Sequence, residues 1–119
     1  MNRTVFFDRD GVLNELIKRD GGFYSPQSFD QFKIYEIAKF VINELKQRGF
    51  LSIVVSNQPD IARGYLKQTE LNKMTKILYD ELLIDDVFYC THDDSDGCNC
   101  RKPKPGLLMQ AAEKWNIVL

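Results

Sequence analysis

Two aspartates stand two apart in Asp8-Arg9-Asp10-Gly11. On extended chain, residues i and i+2 point the same way, so the spacing brings two carboxylates to one place. Acids that close repel each other, and a shared divalent cation relieves the repulsion. A carboxylate offset by such a cation can attack phosphorus, while a second acid nearby protonates a leaving oxygen and later deprotonates water. Gly11 lets the backbone turn tightly beside a ligand. Taken alone, Asp-x-Asp-Gly is more simply a solvated turn. Its position directly after the apolar stretch Thr4-Val5-Phe6-Phe7 argues for chemistry.

A second cluster is stronger. All three cysteines and the single histidine fall within Cys90-Thr91-His92 and Cys98-Asn99-Cys100. Three thiolates and a neutral imidazole form a closed tetrahedral set for zinc, with no position left for a substrate. A zinc ion held over residues 90–100 is therefore expected to be structural. The Cys-x-Cys spacing differs from the Cys-x-x-Cys of redox sites.

Two further segments can meet a phosphoryl group. Ser56-Asn57-Gln58 offers a hydroxyl, amide donors and backbone N–H groups, although turns after strands carry such residues for local reasons too. Arg101-Lys102-Pro103-Lys104-Pro105 is a compact cationic run just before a helix. A lysine fixed there neutralises a transferring phosphoryl group, and Arg101 can hold a second oxyanion through two parallel bonds. Arg63, in Ile61-Ala62-Arg63-Gly64, reads equally as a substrate contact or a surface arginine.

The elements that must position these residues alternate in type. Thr4–Phe7 reads as a buried strand, and residues 14–30 as a long polar surface loop. Ile37, Ala38, Val41 and Leu45 predict one face of a helix over about 35–48, closed by Gly49. Residues 51–55 form a second strand ending before Ser56. Thr69 is expected to cap a helix that buries Leu71, Met74, Leu78 and Leu82. Asp86–Cys90 is a third strand, and Pro105-Gly106 opens a helix carrying Leu107, Leu108, Ala111 and Trp115. This order predicts an α/β fold with a parallel sheet. In such sheets ligands bind beyond the carboxyl ends of the strands, where the unusual residues fall.

Bulk properties bound the rest. A chain of 119 residues is expected to make one domain, 1–119, and 44% hydrophobic with 28% charged residues is ordinary for a globular protein. A net charge of −1 gives no general case for nucleic acid or an anionic membrane. No apolar run is long enough to span a bilayer, and the stretch from Met1 to Asp8 meets charge too early for a signal peptide. A cytoplasmic location is expected from the odd cysteine count and the thiolate chemistry.

Four segments carry a resemblance: Asp8-x-Asp10-Gly11-Val12-Leu13-Asn14, Ser56-Asn57-Gln58, Ile61-Ala62-Arg63-Gly64, and Cys100-Arg101-Lys102-Pro103-x-Pro105-Gly106. Together they closely resemble the haloacid dehalogenase superfamily, whose core is a three-layer Rossmann-like sandwich. Within it they are similar to the zinc-containing phosphatases of heptose bisphosphate and histidinol phosphate. The resemblance implies a phosphomonoester hydrolase of carbohydrate metabolism with a small phosphorylated substrate, Mg²⁺ and Zn²⁺. It implies an aspartyl-phosphate at Asp8, acid/base work by Asp10, and phosphoryl contacts from Ser56 and Lys102. Asn57, Gln58, Arg63 and Arg101 would touch substrate. Mg²⁺ would sit on the Asp8 carboxylate and the Asp10 backbone carbonyl, and Zn²⁺ on Cys90, His92, Cys98 and Cys100.

The departures carry expectations as well. Pro59-Asp60 stands where the family often has Ser-Gly, adding a negative charge near a site for anions. The short His92–Cys98 loop is like the histidinol branch, whereas Ile61–Gly64 is like the heptose branch, so the motifs leave the substrate open. The family continues past the last helix into a strand with a further acid. The sequence given ends at Leu119, which predicts weaker Mg²⁺ binding and an exposed edge at residues 4–7, free to pair with a second copy or a complementing chain. Two other functions compete: a non-catalytic or catalytically impaired phosphate-binding module, and a nucleic-acid 3′-phosphatase. The near-neutral charge speaks against the latter.

Overall fold

The computed structural model describes residues 3–119, and all of their side chains except that of Asp94. Met1 and Asn2, part of the stretch read for a signal peptide, lie outside the described residues. Three strands make the central sheet: β1 (Thr4–Phe7), β4 (Leu51–Asn57) and β5 (Asp86–Cys90). They lie in the order β1-β4-β5 and all run parallel. In register, Phe7 stands beside Val54, and Val54 beside Val87.

Alternation along these strands builds two cores. Val54, with Phe7 and Val87 against it, joins Leu13, Ala38, Ile42, Leu78, Leu82 and Ile84 on one face. Val55, Cys90 and Leu107, with Phe6, Phe88 and Leu108, pack on the other. A sheet buried on both faces explains the unbroken apolar runs of its strands. Helix α1 (Glu36–Gln47) and helix α3 (Gln68–Ile77), which follows the short α2 (Asp60–Arg63) and runs on into a π-helical turn at Leu78–Leu82, cover the first face; α4 (Gly106–Trp115) covers the second. The result is the expected three-layer α/β arrangement.

Details differ from the sequence reading. In α1 the buried residues are Ala38 and Ile42, whereas Ile37 is 64% exposed and Val41 sits at the surface. The true face is one residue further round the helix, because Ala38 and Ile42 are the pair that meets Val54. Strand β4 extends through Ser56 and Asn57, and its last two residues pair in register with Tyr89 and Cys90. Helix α3 starts at Gln68, with Lys67 rather than Thr69 at its N-cap.

The polar segment 14–30 is not an unstructured loop. It holds an antiparallel hairpin of β2 (Ile17–Arg19) and β3 (Gly22–Tyr24). The connecting pair Asp20-Gly21 takes positive φ at both residues, 49° and 78°. Asp-Gly is the pair that two-residue hairpins of this twist prefer. Among the described residues, β1 pairs with a strand on one side only. No helix among them is long and apolar enough to cross a membrane.

Candidate active site and metal centre

The three parallel strands end at one edge of the sheet, so Asp8 follows β1, Ser56 and Asn57 close β4, and Cys90 closes β5. The topology thereby gathers residues far apart in sequence. Lys102 Nζ lies 3.3 Å from Asp8 Oδ1 and donates a 2.9 Å bond to the backbone carbonyl of Val55. Asp8 Oδ1 also accepts the Arg9 backbone N–H at 2.8 Å. Half of the Asp8 side chain remains exposed, which leaves a carboxylate open to a ligand or cation.

Asp10 sits in a cage of donors. Its Oδ1 accepts Arg9 Nε at 3.0 Å, Arg9 Nη2 at 2.8 Å and Asn14 Nδ2 at 3.0 Å. Its Oδ2 accepts Gln58 Nε2 at 2.8 Å. Arg9 itself is fully buried, held also by Gln58 Oε1 at 3.2 Å and Met74 Sδ at 3.5 Å. The rings of Phe32 and Tyr89 face its guanidinium, with centroids 5.2 and 5.8 Å away. A buried guanidinium requires that matching, because an unpaired charge in the interior is costly. Nothing in the Asp-x-Asp spacing announces it, because the pattern leaves the residue at x open.

Gln58 is 1% exposed and spends its amide on Asp10 and, at 3.0 Å, on Ser56 Oγ. It therefore stands behind the cluster and ties Asp10 to the hydroxyl of Ser56. Asn57 turns its amide to the backbone of Lys102: Nδ2 donates to the Lys102 carbonyl at 3.2 Å, and Oδ1 accepts the Lys102 N–H at 2.9 Å. Arg101 and Lys102 line a cleft of about 270 Å³ together with Asp93, Cys98 and Lys104. Arg63 reaches that side too, donating to Asp93 Oδ1 at 2.7 Å while lying 3.8 Å from Asp60. The negative charge of Asp60 is thus met inside the protein by Arg63 and by Gln27, whose amide lies 3.4 Å away.

Beside this cleft, Cys90, His92, Cys98 and Cys100 place all four donor atoms within 4.8 Å of one another. Cys90 Sγ lies 3.4 Å from Cys98 Sγ and 3.5 Å from His92 Nδ1. Cys100 Sγ lies 3.3 Å from His92 Nδ1 and 3.6 Å from Cys98 Sγ. A tetrahedral zinc with Zn–S near 2.3 Å and Zn–N near 2.0 Å would have edges of roughly 3.5 to 3.8 Å. The four edges given above lie within a few tenths of an ångström of that range, and all six stay within 4.8 Å, so the set is close to one that such an ion would draw together. Burial opposes ionisation of Cys98, but bonds from Cys90, from the Arg101 backbone and from Cys100 bring it down to about 6. Burial and the neighbouring sulfurs Cys90 and Cys98 push Cys100 up to about 12. Crowded sulfurs that cannot all ionise unaided are what a dication reconciles.

The loop is fastened to the helix that follows it. Gly106 N–H donates to the Asn99 carbonyl at 3.2 Å, and a Cβ at Gly106 would come within 2.7 Å of Cys100 Cα. Only glycine permits that approach.

Comparison with known proteins places this geometry. The family model for polynucleotide kinase 3 phosphatase matches residues 3–118. The D-glycero-beta-D-manno-heptose-1,7-bisphosphate 7-phosphatase of Pasteurella multocida is 34% identical over 98% of this chain and 66% of its own length. A Thermoplasma volcanium protein, a probable D-glycero-D-manno-heptose-1,7-bisphosphate 7-phosphatase, is 32% identical over 97% of the chain and 78% of its own length. Among solved structures, D,D-heptose 1.7-bisphosphate phosphatase from B. bronchiseptica, complexed with magnesium and phosphate, superposes with a TM-score of 0.83 at 28% identity. That match covers 97% of this chain and 64% of the other. The chain thus spans about two thirds of the length of the Pasteurella relative and of the solved structure. With the fold, the strand-end cluster and these likenesses in agreement, the chain belongs to the polynucleotide kinase 3 phosphatase family of haloacid-dehalogenase-like phosphatases.

Proposed function

We propose that this chain is the phosphatase unit of a phosphomonoester hydrolase that acts on a small sugar phosphate of the heptose bisphosphate type. The observation that carries the proposal is the Asp8–Lys102 pair at 3.3 Å, at the carboxyl ends of parallel strands with Asp10 caged beside it. The named activities of the relatives favour a sugar bisphosphate over other phosphomonoesters.

In this reading an oxygen of the Asp8 carboxylate attacks phosphorus as the bond from phosphorus to the substrate oxygen breaks. Asp10 gives that oxygen its proton. Asp10 then takes a proton from water, whose oxygen attacks the aspartyl-phosphate, and the bond from Asp8 to phosphorus breaks to release inorganic phosphate. Lys102 and the Ser56 hydroxyl meet the charge on the phosphoryl oxygens, and Arg101 and Arg63 lie where the remainder of a substrate would extend. Mg²⁺, held by the half-exposed Asp8 carboxylate and the Asp10 backbone carbonyl, would offset charge between nucleophile and phosphoryl group. Zn²⁺ on Cys90, His92, Cys98 and Cys100 would fix the loop that carries Arg101 and Lys102.

The test is phosphate release in the presence of Mg²⁺ from three substrates: a heptose 1,7-bisphosphate, histidinol phosphate and a 3′-phosphorylated oligonucleotide. The expected result is the highest kcat/KM for the sugar bisphosphate and loss of release in Asp8→Asn. Release from none of the three, or release unaffected by Asp8→Asn, would overturn the proposal. Preference for the oligonucleotide would move the assignment to nucleic-acid ends.

A further inference from the structure

Lys102 sits in an irregular segment, yet the charge it carries must be held to a fraction of an ångström to act on a phosphoryl group. Two features flank it in sequence. Cys100 of the metal cluster lies two residues before, and the Lys102-Pro103 peptide, which is cis, follows. The first reaches the sheet through Cys90 at the end of β5, but neither ties Lys102 itself to the strand beside Asp8.

That connection runs through Asn57. Its side-chain amide meets both hydrogen-bonding groups of one residue, accepting the Lys102 N–H at 2.9 Å and donating to the Lys102 carbonyl at 3.2 Å. This is the pattern by which a hydrogen-bonded partner in an antiparallel ladder grips its neighbour. Here a side chain plays the part of a neighbouring strand. Asn57 is the last residue of β4, in register with Cys90 of the metal cluster, so the clamp starts from a rigid point. Val55, two residues earlier on the same strand, receives the other end of the lysine through its carbonyl. Backbone and ammonium of Lys102 are therefore both referred to β4, and the ammonium then stands 3.3 Å from Asp8.

We propose that Asn57 is a positioning residue for Lys102 and not a ligand of the substrate. The inference rests on the phosphatase reading for its consequence, but the clamp can be tested without turnover. Both ends of the Asn57 amide are turned to the backbone of Lys102, which leaves only its second N–H and second oxygen lone pair for any other contact. Serine or alanine at 57 removes the clamp, and aspartate keeps only the bond to the Lys102 N–H while setting a carboxylate oxygen against its carbonyl.

The first arm is amine labelling of the full chain by a lysine-directed acylating reagent, read peptide by peptide by mass spectrometry. Lys102 is 28% exposed along its side chain and pinned at its tip, so it should label slowly. In Asn57→Ala its labelling should rise several-fold, with exposed lysines such as Lys76 unchanged. Unchanged labelling of Lys102 would overturn the proposal, whether or not the chain turns over substrate. A rise at every lysine would mean general loosening and would overturn it as well. The second arm is a double-mutant cycle on kcat with Asn57→Ala and Lys102→Ala. If Asn57 acts through Lys102, Asn57→Ala should lower kcat by about tenfold or more with little change in KM, and should have almost no effect in the Lys102→Ala background. Additive losses, or a rise in KM alone, would make Asn57 a substrate ligand. No turnover in the parent chain, with the labelling result intact, would count against the phosphatase reading and leave the positioning claim standing.

Discussion

Arg9 is the least expected part of the site, and removing it gives the sharpest test of how the site is built. Arg9→Ala would delete three hydrogen bonds, two to the largely buried carboxylate of Asp10 and one to the buried amide of Gln58, together with the contacts to Phe32, Met74 and Tyr89. Breaking a buried pair by removing one partner costs about 3 to 5 kcal/mol, because the remaining charge is left uncompensated. A chain of this length has a total stability of roughly 6 to 18 kcal/mol at the usual value per residue. The substitution should thus remove a large fraction of it. With a urea slope of about 2 kcal/mol per molar, the unfolding midpoint should fall by roughly 2 M. Circular dichroism against urea measures this directly. In the cycle with Asp10→Ala, the double variant should cost less than the sum of the singles by at least about 1 kcal/mol. Turnover should fall by about a hundredfold in Arg9→Lys, which keeps the charge but loses the planar fork that fixes Asp10. A loss below about 1 kcal/mol in Arg9→Ala, or a strictly additive cycle, would refute the claim that Arg9 is held in place as the partner of Asp10.

The metal loop and α4 offer further tests. Gly106→Ala puts a methyl group within 2.7 Å of Cys100 Cα, so it should cost about 1 to 3 kcal/mol and weaken zinc retention, as read by thermal unfolding and elemental analysis. Elemental analysis of the parent should give about one zinc per chain, and a chelator should expose residues 93–98 to proteolysis while the sheet stays folded. Protection of that segment after zinc removal would contradict a stapling role. Asp86, which receives Lys114 at 2.6 Å, Trp115 Nε1 at 2.9 Å and the Val87 N–H at 2.8 Å, joins α4 to the start of β5. Burial works against its ionised form, but those bonds prevail and hold the carboxyl below its ordinary value. A lowered carboxyl contributes stability above its unfolded value of about 3.9 and loses it as pH falls through the folded value. Asp86→Asn should therefore flatten the acid limb of a stability–pH profile, and an unchanged limb would reject the link.

Much of the site was legible in the sequence because each signal had a short-range cause. The Cys90–Cys100 cluster needs only ligand types and spacing, and the strand ends follow from apolar runs broken by Asp8, Ser56 and Cys90. What escaped depends on partners distant in the chain. Arg9 is buried only because Phe32, Gln58, Met74 and Tyr89 converge on it. Asn57 was expected to face a ligand, but its grip on Lys102 spans 45 positions that no local pattern encodes. The one-residue rotation of α1 has the same origin: Ile37 and Val41 fit a helical stripe, and packing against Val54 selected Ala38 and Ile42. The hairpin at 17–24 is different, since Asp20-Gly21 was a readable turn signal obscured by the polarity around it.

The central claim is that Asp8 is a nucleophile, and the direct measurement is its covalent state during turnover. The chain, mixed with Mg²⁺ and excess sugar bisphosphate, is quenched at short times, trapped with borohydride and read by peptide mass spectrometry. The account predicts modification at Asp8 alone, rising before steady-state phosphate release and absent in Asp8→Asn. Phosphate release with no trace of modification at Asp8, or release that survives Asp8→Asn, would contradict it.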